Sequence, residues 1–372
     1  MKIINILIWW LQALGFCLAA LEMSEDSFSN SDIAAASGMV PSHQFVYQLI
    51  IHRLVFAHRY HGHGTRNGST TQEKRWMSRF GRNGATKWPR NTVTNRVYVR
   101  YCFANQRTRD EAKCLIDNAL SLWAAALGGR ASQQTGHAIV TTEAKDTNAR
   151  ILLCHEDEGL TRWNRYMPED ALVIRIDDGP DRAIAGWLPQ GGPGRHFLYV
   201  ARETLDRQYT HKVAHEIGHV FGMGHEHQRS DRDQHLLYQC GMVQNFAPAF
   251  NAAKAANPGM TDDQLMNGIC NDKIFAFRYG FTLVDEYRIF TDSPGMSAEF
   301  DWESIMLYAS PAGASSYECI RDVRYCPLLK KTSDAATGRL YVTQYMGMEA
   351  TRRPSRMDAE FIRHYYPFNP PA

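Results

Sequence analysis

The stretch that most constrains this chain is HKVAHEIGHVFGMGHEHQRSDRD, residues 211–233. His215 and His219 are four residues apart, so a helix over 213–220 projects both imidazoles from one face of adjacent turns, within reach of a single metal ion. Glu216 follows the first of them. On that helix its carboxylate lies beside the metal rather than among the ligands, placed to take a proton from a metal-bound water. Gly222 and Gly224 interrupt the helical pattern, because glycine takes the left-handed backbone that ends a helix at low steric cost. The turn they permit returns His225 toward the first two histidines. Three neutral imidazoles leave one position of a tetrahedral zinc open for water, the arrangement of a catalytic site and not of a closed structural one. The metal lowers that water's pKa to roughly 7 and polarises a carbonyl, and both effects serve amide hydrolysis.

A bare H-E-x-x-H arises by chance in many chains, where it is only a histidine-rich amphipathic helix. Here it extends to H-E-x-x-H-x-x-G-x-x-H, the metzincin form. The run continues as H-E-H-x-R-x-D-R-D through Glu226, His227, Arg229, Asp231, Arg232 and Asp233, and Ser304-Ile305-Met306-Leu307-Tyr308 follows further along. In these segments the chain resembles the astacin family of zinc metalloendopeptidases.

The resemblance implies an α+β metzincin zinc-peptidase fold: a twisted, mostly parallel sheet with two long helices above the cleft, and an irregular lower subdomain ending in a helix. It implies His215, His219 and His225 as ligands of one Zn2+ per subunit, Glu216 as general base and then acid, and Met306 as the Met-turn residue packed beneath the metal. Tyr308 is implied as a catalytic residue, a fifth zinc ligand whose hydroxyl swings away to stabilise an oxyanion. Taken alone it is a buried tyrosine hydrogen-bonded elsewhere. Leu307 stands where many members have histidine, a change that touches neither the metal nor Tyr308. Glu226 is implied to be tied to a new N-terminus after activation, and Arg229, Asp231, Arg232 and Asp233 to form a structural charge network. The function implied is a secreted zinc-dependent endopeptidase acting on protein or peptide substrates through a zinc-activated water. The rival is a catalytically inactive secreted zinc-binding or adhesion protein of the same fold, against which speaks the filling of every catalytic position.

Composition narrows the setting. With 44% hydrophobic and 22% charged residues the chain is ordinary globular material, and a net charge of +2 gives no footprint for nucleic acid. Met1-Lys2, an apolar run and Ala19-Ala20 read as a signal peptide over 1–20. An uncleaved anchor is the weaker reading, since Gln12 interrupts a run short of the ~20 residues a membrane span needs. The expectation is therefore an extracellular monomer with no membrane attachment once the leader is removed. Of the eight cysteines, loss of Cys17 leaves seven, an odd number. Cys319 with Cys326 and Cys240 with Cys270 are the expected disulfides, while Cys102, Cys114 and Cys154 stay unassigned.

Residues 21–82 are polar and irregular, and the resemblance implies that they are a pro-segment, removed at Lys74-Arg75 or near Arg79 to Arg82 ahead of a catalytic domain over 83–372, the alternative being an N-terminal extension that stays attached. His58, His61 and His63 are expected as solvated loop residues, and Asn67-Gly68-Ser69 is the one glycosylation sequon. Alternation predicts a strand over 92–103 with Val97, Val99 and Tyr101 on one face. A helix is predicted over 108–127, capped by Thr108 with Glu111 and ended by Gly128-Gly129. Further strands are expected at 139–140, 150–154, 172–176 and 196–201, and the resemblance implies one antiparallel edge that holds the substrate, for which 172–188 is the candidate. Met357, Phe361, Ile362 and Tyr365 form the apolar stripe of a closing helix over 354–367, with no accessory module expected after it.

Overall fold

The computed structural model describes residues 77–81, 84–290, 299–333, 340–347 and 352–368 of the 372-residue chain. These lie within the unit Ile50–Ala372; the unit Met1–Leu49 falls outside them. The expected leader, the Lys74-Arg75 pair, His58, His61, His63 and the sequon likewise lie outside the described residues.

A short strand β1 (Arg90–Asn91) runs antiparallel to the start of β2 (Arg96–Phe103), whose Val97, Val99 and Tyr101 are buried on one face as their alternation predicts. Helix α1 (Gln106–Leu127) follows. It starts earlier than expected, because Asn105 rather than Thr108 is the cap: its side chain accepts from Thr108 N–H at 2.9 Å, and Thr108 is buried inside the first turn. Gly128, at φ 80°, ends it.

Strand β3 (Ile139–Glu143) pairs parallel with β2. The expected strand over 150–154 is absent. Only Ile151 forms a bridge, to Lys145, and the segment is held instead by the Cys102–Cys154 disulfide and by Cys154 N–H donating to Phe103 O at 2.9 Å. Strands β4 (Leu172–Asp177), β5 (Arg182–Ala183) and β6 (Phe197–Ala201) complete the sheet in the order β1-β2-β4-β6-β5, with β3 beside β2. β2, β3, β4 and β6 are parallel, and β5 is an antiparallel edge. The edge within 172–188 is therefore 182–183, while 172–177 lies inside the sheet.

Helix α2 (Thr210–Val220) carries the H-E-x-x-H residues and packs on α1, where Trp123 Nε1–H donates to Ala214 O at 2.8 Å. The interior between sheet and helices is filled by Val99, Leu115, Ile116, Ile174, Val213 and Ile217 among others. This is the α+β arrangement expected.

The lower half is more regular than expected. Helices α3 (Arg232–His235), α4 (Phe246–Ala256), α5 (Asp262–Asn271), α6 (Lys273–Arg278) and α7 (Val284–Tyr287) surround a second apolar cluster that includes Leu236, Leu265, Phe281 and Tyr287. The helices are short, and two of them start at side-chain caps. Thr261 forms a capping box with Gln264, and Asp272 caps α6. Strands β7 (Leu236–Tyr238), β8 (Leu328–Ser333) and β9 (Leu340–Gln344) form an antiparallel sheet. The closing helix α8 (Arg356–Tyr365) buries Met357, Phe361 and Ile362 as its stripe predicts.

Both expected disulfides, Cys240–Cys270 and Cys319–Cys326, are present beside Cys102–Cys154. Cys114 is also disulfide-bonded, and no cysteine among the described residues is free. No helix among the described residues is long and apolar enough to cross a membrane.

Residues just ahead of the expected 82/83 boundary pack against the rest of the described structure. Met77, Ser78 and Phe80 are buried, and the segment pairs with the turn after α2: Gly224 N–H donates to Met77 O and Arg79 N–H to Gly222 O, each at 2.9 Å. Gly222 has φ +95°, and a Cβ there would collide with the Phe80 ring, so only glycine fits.

His196, just before β6, lies buried against Trp88 and Trp187, at ring-centroid distances of 4.9 and 6.2 Å. Its Nδ1–H donates to Asp170 O at 3.0 Å, and its Nε2 accepts from Leu188 N–H at 2.9 Å, a pattern only the neutral ring satisfies. Burial, then the charge of Arg195, lowers its pKa from 6.5 to about 4. The unfolded chain binds this proton at a higher pH than the folded one, so stability falls as pH drops from 6.5 to about 4, by about 3 kcal/mol in full. Urea denaturation across that window is expected to show the loss, and His196→Gln to flatten it.

Candidate active site

The turn after α2 brings the three histidines together as the spacing predicts. His225 Nε2 lies 3.2 Å from His215 Nε2 and 3.0 Å from His219 Nε2. The three are the described group of side chains able to hold a metal, with all ligand atoms within 4.8 Å of one another.

What fixes them is the opposite nitrogen of each ring. His215 Nδ1–H donates to Ile305 O at 2.8 Å, His219 Nδ1–H to Met223 O at 3.0 Å, and His225 Nδ1–H to Gln228 Oε1 at 3.1 Å. The Gln228 amide cannot be reversed, because its Nε2 donates to Asp285 O at 2.7 Å. Each ring therefore carries a proton on Nδ1 and turns its Nε2 toward one point, where the neutral ring presents a lone pair. Burial, then the neighbouring histidines, hold the His225 pKa well below the usual range. Converging lone pairs repel unless a cation lies between them, and this donor set suits zinc.

Glu216 is buried, and its Oε2 has no hydrogen-bond partner among the described residues. Burial, then the carboxylates of Asp181 and Glu286, push its pKa well above the ordinary carboxylate range. An orphaned buried oxygen beside three aimed imidazoles fits a metal centre with its water.

Met306 packs under the helix. A Cβ at Gly218, between Glu216 and His219, would lie 2.5 Å from Met306 Sδ, so the glycine is there for close approach. The turn carrying Met306 is pinned from α8: Asp358 accepts from Ser304 Oγ–H at 2.7 Å and from Ile305 N–H at 2.8 Å. Ile305 O in turn holds His215.

Tyr308 is beside the centre, its ring centroid 4.4 Å from that of His225 and 4.3 Å from that of His227. Its hydroxyl donates to Glu286 Oε2 at 3.1 Å. His227 is not a fourth ligand, since its Nε2–H donates to Glu286 O at 2.8 Å. Arg229 holds Asp231 through Nε and Nη2 at 2.9 and 2.7 Å, and Glu226 through Nη1 at 2.8 Å, while Arg232 Nε donates to Asp233 at 2.8 Å, so the four charged residues expected as a network are paired two by two. Glu226 also accepts from Asp301 N–H at 2.9 Å.

Residues 203–257 match the family model for the Astacin peptidase family. This is an astacin-type segment. The chain is also similar to solved structures, among them two of low identity. One is high choriolytic enzyme 1, a hatching enzyme zinc-protease from Oryzias latipes (medaka fish), at 16% identity and TM-score 0.43, over 75% of this chain and 94% of that one. The other is myroilysin, at 16% identity and TM-score 0.36, over 77% and 97%. Likenesses this distant say nothing of chemistry. No curated protein matches the chain.

Sequence reasoning missed Gln228, which fell on a variable position of the pattern, and Glu286, which belongs to no motif. The backbone acceptors Ile305 O and Met223 O leave no signal in sequence. Replacing the Gln228 acceptor with an apolar group of similar size, Gln228→Leu, is expected to weaken zinc binding about 10- to 100-fold in a competition titration against a chelating dye.

Proposed function

We propose that this astacin-like chain is a secreted zinc endopeptidase that hydrolyses peptide bonds of protein or peptide substrates, as a monomer holding one zinc. The observation that carries the reading is the convergence of His215, His219 and His225 Nε2 beside the unpartnered Glu216 Oε2. Zinc held by these residues supplies a Lewis acid for the scissile carbonyl and makes hydroxide from water accessible near neutral pH. Glu216 takes the proton released on attack and delivers it to the leaving amine, a role suited to a carboxylate whose pKa burial raises. Tyr308 offers its hydroxyl to the centre as a further ligand or to the oxyanion. The antiparallel edge β5 supports an extended substrate backbone by strand addition.

Secretion is supported by the disulfides and by the leader-like N-terminus. Activation by a cut at Lys74-Arg75 leaves Met77 to Phe80 attached, whereas a cut at Arg79 to Arg82 separates them from the turn they pair with. The first site is therefore the one proposed.

Casein or gelatin cleavage by the processed, secreted protein tests the reading. Glu216→Gln is expected to lower kcat by about 100-fold or more while one zinc stays bound, and a zinc chelator to abolish cleavage. No cleavage by a processed wild-type protein carrying one zinc would shift the reading to a zinc-binding protein without catalysis.

A further inference from the structure

Glu286 belongs to α7, in the lower half of the chain, and the reading above gives it no role. Its side chain is buried, and among the described residues no lysine or arginine pairs with it. A carboxylate in that position is costly unless something donates to it. The donor is the Tyr308 hydroxyl, at 3.1 Å from Oε2. The same Oε2 is 3.8 Å from His225 Nδ1, so it lies behind the third histidine, on the side away from the converging Nε2 atoms. Elsewhere α7 is fixed to the histidine segment: Glu286 O accepts from His227 Nε2–H, and Asp285 O from Gln228 Nε2–H. The Tyr308 ring is thus seated against His225 and His227 while its oxygen is turned toward a carboxylate whose helix is held at two points.

We infer that Glu286 is the positioning residue for Tyr308: it accepts from the phenol hydroxyl and sets how often the phenol oxygen reaches a metal in the three-histidine centre. A hydroxyl donating to a carboxylate makes a charge-assisted bond, stronger than one to a neutral acceptor. The tyrosine therefore has two places to be, and the carboxylate biases it toward the one off the metal. This rests on the reading of the three histidines as a metal centre.

The test uses the full processed protein with Cu(II) in place of zinc, read by the visible phenolate-to-copper charge-transfer band at one copper per chain. Tyr308→Phe gives the zero of the band. Glu286→Ala and Glu286→Leu remove the acceptor, the second keeping most of the volume, and the band is expected to rise about two-fold or more over wild type. Glu286→Gln keeps an acceptor oxygen but not the charge, and its band is expected to fall between wild type and the acceptor-free variants. A band absent from all variants, equal in wild type and in both acceptor-free variants, or raised equally by Glu286→Gln overturns the inference. So does loss of copper from both acceptor-free variants while Glu286→Gln retains it, since that assigns Glu286 to support of the ligands instead. Failure of the wild type itself to hold one copper overturns the metal reading, and this inference with it.

Discussion

Three imidazole lone pairs aimed at one point repel one another, and the chain holds them there through the hydrogen bond each ring makes on its other side. Ile305 O, Met223 O and Gln228 Oε1 each accept an Nδ1–H, which fixes both the tautomer and the direction of Nε2. Freed of these acceptors the rings could turn apart or exchange tautomers. With them in place, the energy of holding the rings together is already met by folding, and a cation entering the site finds its ligands oriented.

Each acceptor is in turn anchored in a different part of the chain. Ile305 is held by Asp358, at the start of the closing helix, which also bonds Ser304. Met223 lies in the turn that pairs with Ser78. Gln228 is fixed by Asp285 O, and Arg79 Nη2 also reaches its Oε1 at 3.4 Å. The first described residues, the lower half and the last helix thus all reach the centre through short chains of hydrogen bonds. Glycine at 218 and 222 lets these layers come together, against Met306 and against Phe80.

Much of this was legible in sequence because it rests on local spacing. The i, i+4 histidines, the turn glycines, the alternation of β2 and the stripe of α8 all follow from the periods of helix and strand. What was not legible depends on parts of the chain far apart. A backbone carbonyl accepting from a histidine has no residue type to announce it. Gln228 looks variable because a pattern records recurring side chains and not the rings and carbonyls they orient. The start of α1 lies earlier because Asn105 and Thr108 are both good caps, and burial of Thr108 decides between them. Of the five short helices of the lower half, two start at side-chain caps, Thr261 and Asp272, and the Cys240–Cys270 bridge ties one of these to the segment before Phe246, features that periodicity over so few residues cannot reveal. Met77 and Phe80 sit in a polar stretch, and only their fit against Gly224 and Gly222 marks them as part of the packed domain.

The most direct measurement is X-ray absorption at the zinc edge of the zinc-loaded protein. The account predicts a first shell with three imidazole nitrogens at about 2.0 Å, the rest oxygen and no sulfur. Fewer than three imidazoles, or a thiolate in the shell, would contradict it.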